Sequence, residues 1–282
     1  MKTLTPFGIS DWSAEKLSLF ESLTQPLKSL FETHNFKQIK TASIEYLDSL
    51  APGMGENLKT QAIKLMGPNG EMMVLRPDHT AAIARMVAEK QKKITKPLKY
   101  AYIDPVYRLP KETGFDDMEI YQAGIEWIGN DKQADLTILK LAIKSLQKLK
   151  MKDIIFEINH VDILNTTYTK KQIQALQEND YVKLGAIPHR GKLEKTKDSM
   201  NLSALFNALK KEKLESFVQF NKGLTKPFDY YTGLIFKGYA KGSRQHLISG
   251  GRYDQLLSRF GQSIPAVGFS IQLNELARLK SC

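Results

Sequence analysis

The spacing of apolar residues predicts several amphipathic helices along the chain. Ser13 precedes a run in which apolar side chains recur every three or four residues, which predicts a capped helix that Pro26 should kink or split. Further helices are predicted from about Thr80 and over residues 136–149. The apolar positions of the first helix are Leu17, Phe20, Leu23, Leu27 and Leu30.

Strands are predicted where β-branched and aromatic residues lie between turn-forming residues. The segment between two of these strands, 108–118, is polar and predicts a long hairpin loop. Further helices are predicted after Tyr253 and after Asn274. Because hairpins link the strands and helices lie at the margins, the predicted fold class is α+β, with an antiparallel sheet flanked by helices. The predicted strands are 36–44, 72–75, 100–107, 119–128, 154–158, 230–239, 246–249 and 266–273.

One segment differs from the rest of the pattern. From about residue 164 to residue 220 the spacing is helical, lysine is frequent and strand signals are sparse. We therefore interpret residues 1–282 as a single core domain, with a helical insertion at 164–220.

Composition restricts the class of protein. An excess of 41 basic over 30 acidic residues gives a net charge of +11, which attracts nucleic acid, nucleotides or an acidic partner. The only cysteine is Cys282, and no signal peptide or membrane span is recognisable, which favours the cytoplasm. The histidines are scattered without metal-ligand spacing, so no metal site and no cofactor are predicted.

The strand predicted at 119–128 carries an unusual polar face. Because side chains alternate, Gln122, Gly124 and Glu126 share one face, with the two outer positions roughly 13 Å apart. A glycine inside a strand often marks the close approach of a ligand or another backbone. This face fits a small zwitterion, with Glu126 accepting an imidazole N–H and Gln122 meeting the ammonium group. An ordinary sheet face exposed to water remains the alternative.

Three other polar residues have two interpretations each. Asp78 follows Pro77 at a helix start, so it is either a helix cap or an anion for a substrate amino group, with Thr80 beside it. Tyr230 and Tyr231 are either ordinary strand residues or pocket residues. Since adjacent strand residues point to opposite faces, at most one of these tyrosines is expected to face a given pocket.

Several segments, taken in order, resemble the catalytic core of histidyl-tRNA synthetases, which are class II synthetases. The resemblance covers most of the chain and implies a class II synthetase-like fold. It also implies a histidine pocket, in which Arg108 corresponds to the arginine of the second signature motif. The segments are 75–80, 105–108, 121–126, 229–233, 250–254 and 265–269. The implied histidine-binding residues are Asp78, Thr80, Arg108, Gln122, Glu126, Tyr230 and Tyr231.

The sequence departs from that family where the ATP phosphates would bind. Adenylation needs cations placed against the phosphates, and arginine supplies a rigid bidentate fork that lysine does not reproduce. Glu275 stands where the third motif carries an arginine, and Asp116 and Met118 stand where the motif loop carries arginines. Pro110 replaces a glutamate, and Lys226 replaces an arginine. We therefore expect no adenylation and no catalytic residue in this chain.

The chain also ends shortly after the third motif, where a synthetase would continue into an anticodon-binding domain. This combination resembles the regulatory subunits of ATP phosphoribosyltransferase. The resemblance implies dimerisation, a short-form catalytic subunit as partner and L-histidine as effector, without a membrane and without nucleic acid. Two other functions stay open, namely a minimal ligase that activates an amino acid with ATP, and an RNA-binding module that uses the lysine-rich insertion.

Overall fold

The computed structural model describes residues 4–90, 96–110, 117–129, 133–193, 200–225 and 230–281. Within them, nine strands form the main sheet and three form a small second sheet. The strands are β1 Lys37–Gln38, β2 Ile44–Tyr46, β3 Lys64–Met66, β4 Met72–Leu75, β5 Leu98–Tyr107, β6 Glu119–Ile128, β7 Ile155–His160, β8 Arg190–Gly191, β9 Val218–Asn221, β10 Leu234–Tyr239, β11 Ile248–Arg252 and β12 Ala266–Gln272. The helices are α1 Ala14–Thr33, α2 Leu47–Leu50, α3 Glu56–Gln61, α4 His79–Lys90, α5 Ala134–Lys148, α6 Val161–Thr167, α7 Lys170–Glu178, α8 Tyr181–Leu184, α9 Met200–Lys211 and α10 Leu273–Ser281.

The main sheet has the order β1-β5-β6-β12-β11-β10-β7-β9-β8. Its central pairs are antiparallel, whereas β1 pairs with β5, and β7 with β9, in parallel. The predicted α+β class is confirmed, and the sheet is mixed at its two ends. Strand β6 lies between β5 and β12, so both neighbours contribute residues beside its polar face.

Helices cover both faces of the sheet. One face forms the largest apolar cluster, in which α1, α5, α9 and α10 pack against the strands. On the other face, α4 and the turn Leu257–Phe260 enclose a second cluster that contains Tyr102, Tyr230 and Tyr253. None of the described helices is long and apolar enough to cross a membrane. The polar row of β6 faces the second cluster.

Helix α1 begins as predicted, and Pro26 does not split it. The Ser13 side chain accepts a hydrogen bond from the Lys16 N–H, as a helix cap does. The helix continues unbroken through Pro26 to Thr33, so the expected split does not occur. Burial of its apolar face against the sheet supplies more stability than the one hydrogen bond that proline cannot make.

Two of the predicted strands are shorter than expected. Of residues 36–44, only Lys37 and Gln38 form β1, and the chain turns before β2 begins at Ile44. The cause is Arg76, which is fully buried and donates to the carbonyl oxygens of Thr41 and Ala42 at 2.9 and 3.3 Å. These carbonyls are occupied by a guanidinium and do not join a ladder.

The strand predicted at 230–239 begins only at Leu234. Of the helix predicted after Tyr253, only the short 3-10 helix Leu257–Phe260 forms. It stops at Gly261, which is in the left-handed conformation with φ of 90°. Glycine adopts this conformation without a steric penalty, so the turn ends there.

The segment 164–220 is largely helical and is joined closely to the core. It contributes the predicted helices and also β8 and β9, which extend the main sheet beyond β7. Leu202, Leu205 and Leu209 of α9 belong to the largest apolar cluster. Strands β8 and β9 were not predicted from the sequence, because strands of two and four residues show too little alternation. The boundaries of a helical insertion at residues 164 and 220 stay predictions.

A cavity of about 450 Å³ opens between α1 and α10. Trp12 and Phe20 line it, and their rings lie 4.5 and 5.0 Å from the ring of Tyr121 on β6. Asn274, at the start of α10, also lines it. The cavity therefore lies behind β6, on the face opposite to Gln122 and Glu126.

Candidate functional site

The polar face of β6 is buried. Gln122 is 2% exposed and Glu126 is 1% exposed, and Gly124 between them is buried as well. An ordinary sheet face exposed to water is therefore excluded. Burying polar groups costs free energy unless they are hydrogen-bonded, so the partners of these side chains define the site.

Two uncharged hydroxyl groups hold the Glu126 carboxylate. The Thr80 hydroxyl donates to Oε1 at 2.7 Å, and the Tyr253 hydroxyl donates to Oε2. Gly268 lies opposite Glu126 in the β6–β12 register, and a side chain at 268 would overlap the carboxylate. Burial raises the pKa of Glu126 to about 8, and the two hydroxyl donors only partly oppose this rise.

Asp78 caps α4 and also belongs to the site. Its Oδ2 accepts the Ala81 N–H at 3.3 Å, as a helix cap would, and the Tyr230 hydroxyl at 3.4 Å. The helix-cap interpretation is therefore confirmed, and the role of Asp78 as an anion for a substrate amino group stays a prediction. Burial raises the pKa of Asp78, and the nearby positive charge of Arg108 acts in the opposite direction.

Arg108 lies at the end of β5, close to Asp78. Its Nε donates to the Pro77 carbonyl oxygen at 2.7 Å, directly before Asp78 in the chain. Burial lowers the pKa of Arg108, whereas the proximity of Asp78 and Tyr230 raises it. The guanidinium is thus a positive charge beside the buried carboxyl group of Asp78.

Both tyrosines of the Tyr230–Tyr231 pair lie at the site, so the prediction that at most one would face the pocket is wrong. Their ring centroids are 4.9 Å apart, and that of Tyr230 is 5.9 Å from that of Tyr253. The physical reason is that β10 begins only at Leu234, so strand alternation does not apply to the preceding residues. Burial and the charges of Asp78 and Glu126 raise the pKa of Tyr231.

Gln122 lies further along the same face. Its Nε2 donates to Gln272 Oε1 at 3.3 Å, across the β6–β12 pair. The structure thus brings six of the seven predicted residues into one cluster and places Gln122 beside it on the shared strand face. The six are Asp78, Thr80, Arg108, Glu126, Tyr230 and Tyr231.

Sequence reasoning missed two tyrosines of this cluster. Tyr253 donates to Glu126, and the Tyr102 hydroxyl lies against Gly124, where any side chain would collide with it. Tyr102 pairs with Gly124 in the β5–β6 hairpin register, so the hairpin alignment held a signal for it. Tyr253 belongs to the Gly-Gly-Arg-Tyr-Asp segment singled out above, but its contact with Glu126 spans 127 positions of sequence.

His79 supports the cluster from the side of α4. Its ring stacks on Tyr102, with centroids 4.1 Å apart, and its Nε2 is 2.9 Å from the Asp104 carbonyl oxygen. Burial, and then the positive charge of Arg76, lower the pKa of His79 well below its usual value. The neutral ring therefore acts as a packing surface for Tyr102.

Glu275, at the position of the third-motif arginine, is an anchor for the local backbone. It is 6% exposed, and its carboxylate accepts the Arg244 backbone N–H at 2.7 Å and the Arg278 guanidinium at 2.6 and 2.8 Å. Since an arginine has no acceptor, it could not make these bonds. The nearby hydrogen bonds of Glu275 outweigh burial, so its pKa is lowered.

Of the other departures from the synthetase pattern, the structure describes Met118 but not Asp116 or Lys226. Met118 makes backbone hydrogen bonds with Gly8 and Arg108, so it closes the chain start onto the base of the hairpin. Asp116 and Lys226 lie outside the described residues, and their predicted effects on a phosphate site stay predictions.

The site has the charges that a small zwitterion requires. Two buried carboxyl groups lie beside hydroxyl donors, and one guanidinium lies beside Asp78. Carboxylates accept from ammonium and imidazole N–H groups, and a guanidinium pairs with a carboxylate. The geometry is therefore suited to an amino acid whose side chain carries a ring N–H.

Known proteins share both the sequence and the fold of this chain. The family model described as "Histidyl-tRNA synthetase" matches residues 8–187 and 181–276. Two relatives named "ATP phosphoribosyltransferase regulatory subunit", from Bacillus thuringiensis (strain Al Hakam) and Bacillus cereus (strain AH820), are each 28% identical over 98% of this chain and 76% of their own length.

Solved structures agree with this assignment. An "ATP phosphoribosyltransferase regulatory subunit/histidyl-tRNA synthetase" from Bacillus halodurans C superimposes with a TM-score of 0.87 at 26% identity, over 99% of this chain and 83% of that one. A "Histidine--tRNA ligase subunit" from Alicyclobacillus acidocaldarius, at 23% identity and a TM-score of 0.79 over 100% and 98% of the two chains, shares the fold. Because the family model matches most of its length, the chain belongs to the histidyl-tRNA synthetase family.

Proposed function

We propose that this chain is a non-catalytic regulatory subunit of ATP phosphoribosyltransferase, with L-histidine as its effector. In this role it assembles with a short-form catalytic subunit in the cytoplasm and is required for that subunit's activity in the first step of histidine biosynthesis. It also takes part in feedback inhibition by histidine. The observation that carries the proposal is the buried Glu126 carboxylate between the Thr80 and Tyr253 hydroxyls. The names of its relatives support the regulatory role.

Histidine fits the charges of this site group by group. An imidazole N–H is matched by Glu126, the ammonium group by Asp78, and the ligand carboxylate by Arg108. Thr80, Tyr230 and Tyr231 enclose these groups, and Gln122 lies at the end of the row. An amino acid without a ring N–H would leave the buried Glu126 without a ligand donor, which costs affinity.

The surroundings of Glu275 support a role without adenylation. Its carboxylate is engaged with Arg278 and the Arg244 backbone, so this position contributes acceptors to the fold and no cation to a triphosphate. Transfer of a nucleotide needs positive groups aimed at the phosphates, and each missing donor costs about 3–4 kcal/mol. The site thus retains the chemistry that binds an amino acid.

Regulation then follows from linkage. Histidine shifts an assembly between an active and an inhibited state only if it binds one state more tightly than the other. The coupling is reciprocal, so a catalytic partner that favours one state changes the affinity for histidine by the same factor.

The primary test measures phosphoribosyl-ATP formation by a cognate short-form catalytic subunit, with and without this protein. We expect activity to rise when the protein is added and to fall again as histidine is titrated. The Glu126→Ala variant should still raise activity but should lose the response to histidine, whereas Lys140→Ala, at an exposed ion pair on α5, should behave as the wild type. No rise with a folded and competent partner contradicts the proposal.

Two other activities remain as outcomes of separate assays. Histidine-dependent exchange between pyrophosphate and ATP would identify a minimal ligase. Binding of tRNA that weakens steeply with salt would identify an RNA-binding module. Either result, without stimulation of the catalytic subunit, replaces the regulatory function.

We also propose that the protein forms a dimer through the small sheet β2-β4-β3. Alternation and register place five apolar side chains on one face of this sheet, with Ile44 47% exposed and Tyr46 55% exposed. The opposite face packs Val74 into the core. A second copy covers such a face with an identical one. The five side chains are Ile44, Tyr46, Leu65, Met73 and Leu75.

Sedimentation equilibrium tests the dimer. The double variant Ile44→Lys/Tyr46→Lys should be monomeric at concentrations at which the wild type is dimeric, because it places two charges in the apolar contact. Lys64→Ala, on the opposite face of the same sheet, should leave the mass unchanged. A wild type that is monomeric at high concentration contradicts this interface.

A further inference from the structure

We propose that the cavity between α1 and α10 binds a small amphipathic amine, with the apolar body of the ligand between the two helices and its ammonium group at the rim. This ligand class follows from the apolar walls of the cavity and from two carboxylates beside them. The cavity lies on the face of β6 opposite to Gln122 and Glu126, so the inference does not depend on the proposed histidine site.

The cavity has the size and the walls of a ligand site. Its volume of about 450 Å³ falls within the range of roughly 300–1,000 Å³ that small-molecule sites occupy. Both helices and the residue before α1 contribute apolar side chains to its walls, and burying that surface under a ligand is favourable. These side chains are Trp12, Leu19, Phe20 and Ala277.

Contacts behind the walls hold the cavity in shape. The rings of Trp12 and Phe20 lie 4.7 Å apart, and both pack against Tyr121 of β6. Asn274 accepts the Tyr121 N–H at 2.8 Å and donates to Asp117 at 2.6 Å, so it ties the start of α10 to this strand. A site that is already formed reduces the free energy that binding must spend on ordering side chains.

One small residue keeps the space between the helices open. Ala277 is a half-buried residue of α10 that lines the cavity, and its side chain is a single methyl group. A large side chain at this position would occupy the space that the ligand needs. The position therefore supplies a direct way to close the site.

The positive groups at the rim are already engaged. Arg278 donates to both carboxylate oxygens of Glu275, at 2.6 and 2.8 Å. Lys16 donates to the Ser10 hydroxyl at 2.9 Å, and its ammonium group lies 4.9 Å from the centroid of the Trp12 ring. An anionic ligand would have to compete with these contacts.

The negative groups at the rim are bonded to neutral partners. Asp117 accepts from the Asn274 amide, and a hydrogen bond with Ser13 lowers the pKa of Glu15, which keeps it ionised near neutral pH. Within the described part of the chain, neither carboxylate takes part in an ion pair. Since the guanidinium at the rim is already paired, two negative charges stand against a single ammonium group. Carboxylates accept from ammonium N–H groups, so the excess favours a cationic ligand.

Fluorescence of Trp12 tests the binding and its charge preference. The chain has two tryptophans, so Trp127→Phe leaves Trp12, in the cavity wall, as the only indole. Phenethylamine, phenethyl alcohol and hydrocinnamate share a phenyl ring and two methylene groups, and they carry a positive charge, no charge and a negative charge. Because the carboxylates are exposed, we expect the amine to bind about tenfold more tightly than the acid at low salt, with the alcohol between them and the ratio smaller at high salt.

Two kinds of substitution locate the site. Ala277→Phe should weaken all three probes by about tenfold or more, because the new ring occupies the cavity. Glu15→Gln and Asp117→Asn should each weaken the amine by about threefold and leave the alcohol unchanged. Glu21→Gln, at an exposed position of α1 that does not line the cavity, is the matched control and should bind all three probes as the wild type does.

Several results would overturn the proposal. They are the absence of any response to the amine, an acid that binds as tightly as the amine, and an amine affinity that Ala277→Phe leaves unchanged. If Ala277→Phe does not fold, the double variant Glu15→Gln/Asp117→Asn decides, and an unchanged ratio of amine to acid affinity there overturns the proposal. If Trp127→Phe does not fold, ligand-observed NMR with the wild type gives the same three affinities and has to show the same order.

Discussion

At the centre of strand β6 the two faces are equally shielded from water and chemically opposite. Ala123 and Ile125 on one face are fully buried among aliphatic and aromatic side chains, as a core requires. Gln122 and Glu126 on the other face are just as buried, although burial opposes the charge of the glutamate. A fold gains stability from the first face, whereas the second costs free energy. This difference supports the proposal that the polar face serves binding.

The largest effect is expected from adding one methyl group beneath the Glu126 carboxylate, on the polar face of β6. Gly268→Ala places a side chain where the Glu126 carboxylate lies. We expect a loss of about 4 kcal/mol in unfolding free energy and of all measurable histidine binding, because the methyl group or the carboxylate must move. Urea denaturation and calorimetry measure the two effects. Ser270→Ala, two residues along the same face of β12, should change both little, and similar losses there would refute the steric explanation.

Truncation of the apolar face should affect stability alone. Ile125→Ala leaves a cavity in the main core and should lower the unfolding free energy by about 2–5 kcal/mol. Histidine affinity at 25 °C should stay within about threefold of the wild type, since the side chain points away from the site. Urea denaturation measures the unfolding free energy, and calorimetry measures the histidine affinity. A loss of binding as large as that of Glu126→Ala would show that the two faces do not act separately.

Replacing the ionisable Glu126 by glutamine should remove a loss of unfolding free energy that the wild type shows as pH rises. Because the pKa of Glu126 is raised from 4.5 to about 8, the folded state keeps a proton that the unfolded chain releases between these values. The contribution of this group is therefore fully present below pH 4.5 and declines as pH rises to about 8. Glu126→Gln removes the decline, so its stability relative to the wild type should increase by about 3 kcal/mol between pH 5 and pH 8. Thermal and urea denaturation across this range measure the difference, and parallel curves would contradict the raised pKa.

The smallest expected effect concerns the link between β6 and α10. Asn274 accepts the Tyr121 N–H at 2.8 Å and donates to Asp117 and to the Glu119 carbonyl oxygen at 2.6 and 3.2 Å. Asn274→Ala should cost about 1–2 kcal/mol, because a half-buried backbone donor loses its partner. Hydrogen exchange should show faster exchange of the Tyr121 amide and little change at Phe236, in the middle of β10. Unchanged exchange at Tyr121 would show that water replaces the asparagine.

The sequence predicted the elements that have a strong period. Strands β5 and β6 and helices α4 and α5 were confirmed to within a few residues, because each runs for at least ten residues with a clear apolar face. The bend between β1 and β2 could not be predicted, since it depends on Arg76 reaching carbonyl oxygens about 35 positions away in sequence. Local patterns contain no information on such a contact.

The residues of the candidate site also fall into two groups, those that local sequence patterns predict and those that only the fold brings together. Gln122 and Glu126 follow from strand alternation, Asp78 and Thr80 follow from the helix start after Pro77, and the resemblance to a known family supplied Arg108. The structure adds Tyr253, whose hydroxyl reaches Glu126 from a distant strand end. A tyrosine in a glycine-rich turn looks ordinary in sequence, and only the order of β6, β12 and β11 in the sheet makes it part of the site.

Both tryptophans of the chain are in contact with β6 or belong to it. Trp127 is a residue of this strand, with the Lys99 ammonium 4.2 Å from its ring, and the Trp12 ring lies 4.5 Å from that of Tyr121. Indole emission changes in wavelength and intensity with local polarity and contacts, so the native fluorescence of this protein comes from the surroundings of one strand. Both indoles pack against the apolar side of β6, so their emission reports on the packing of that side in the unmodified protein, with no dye and no added probe.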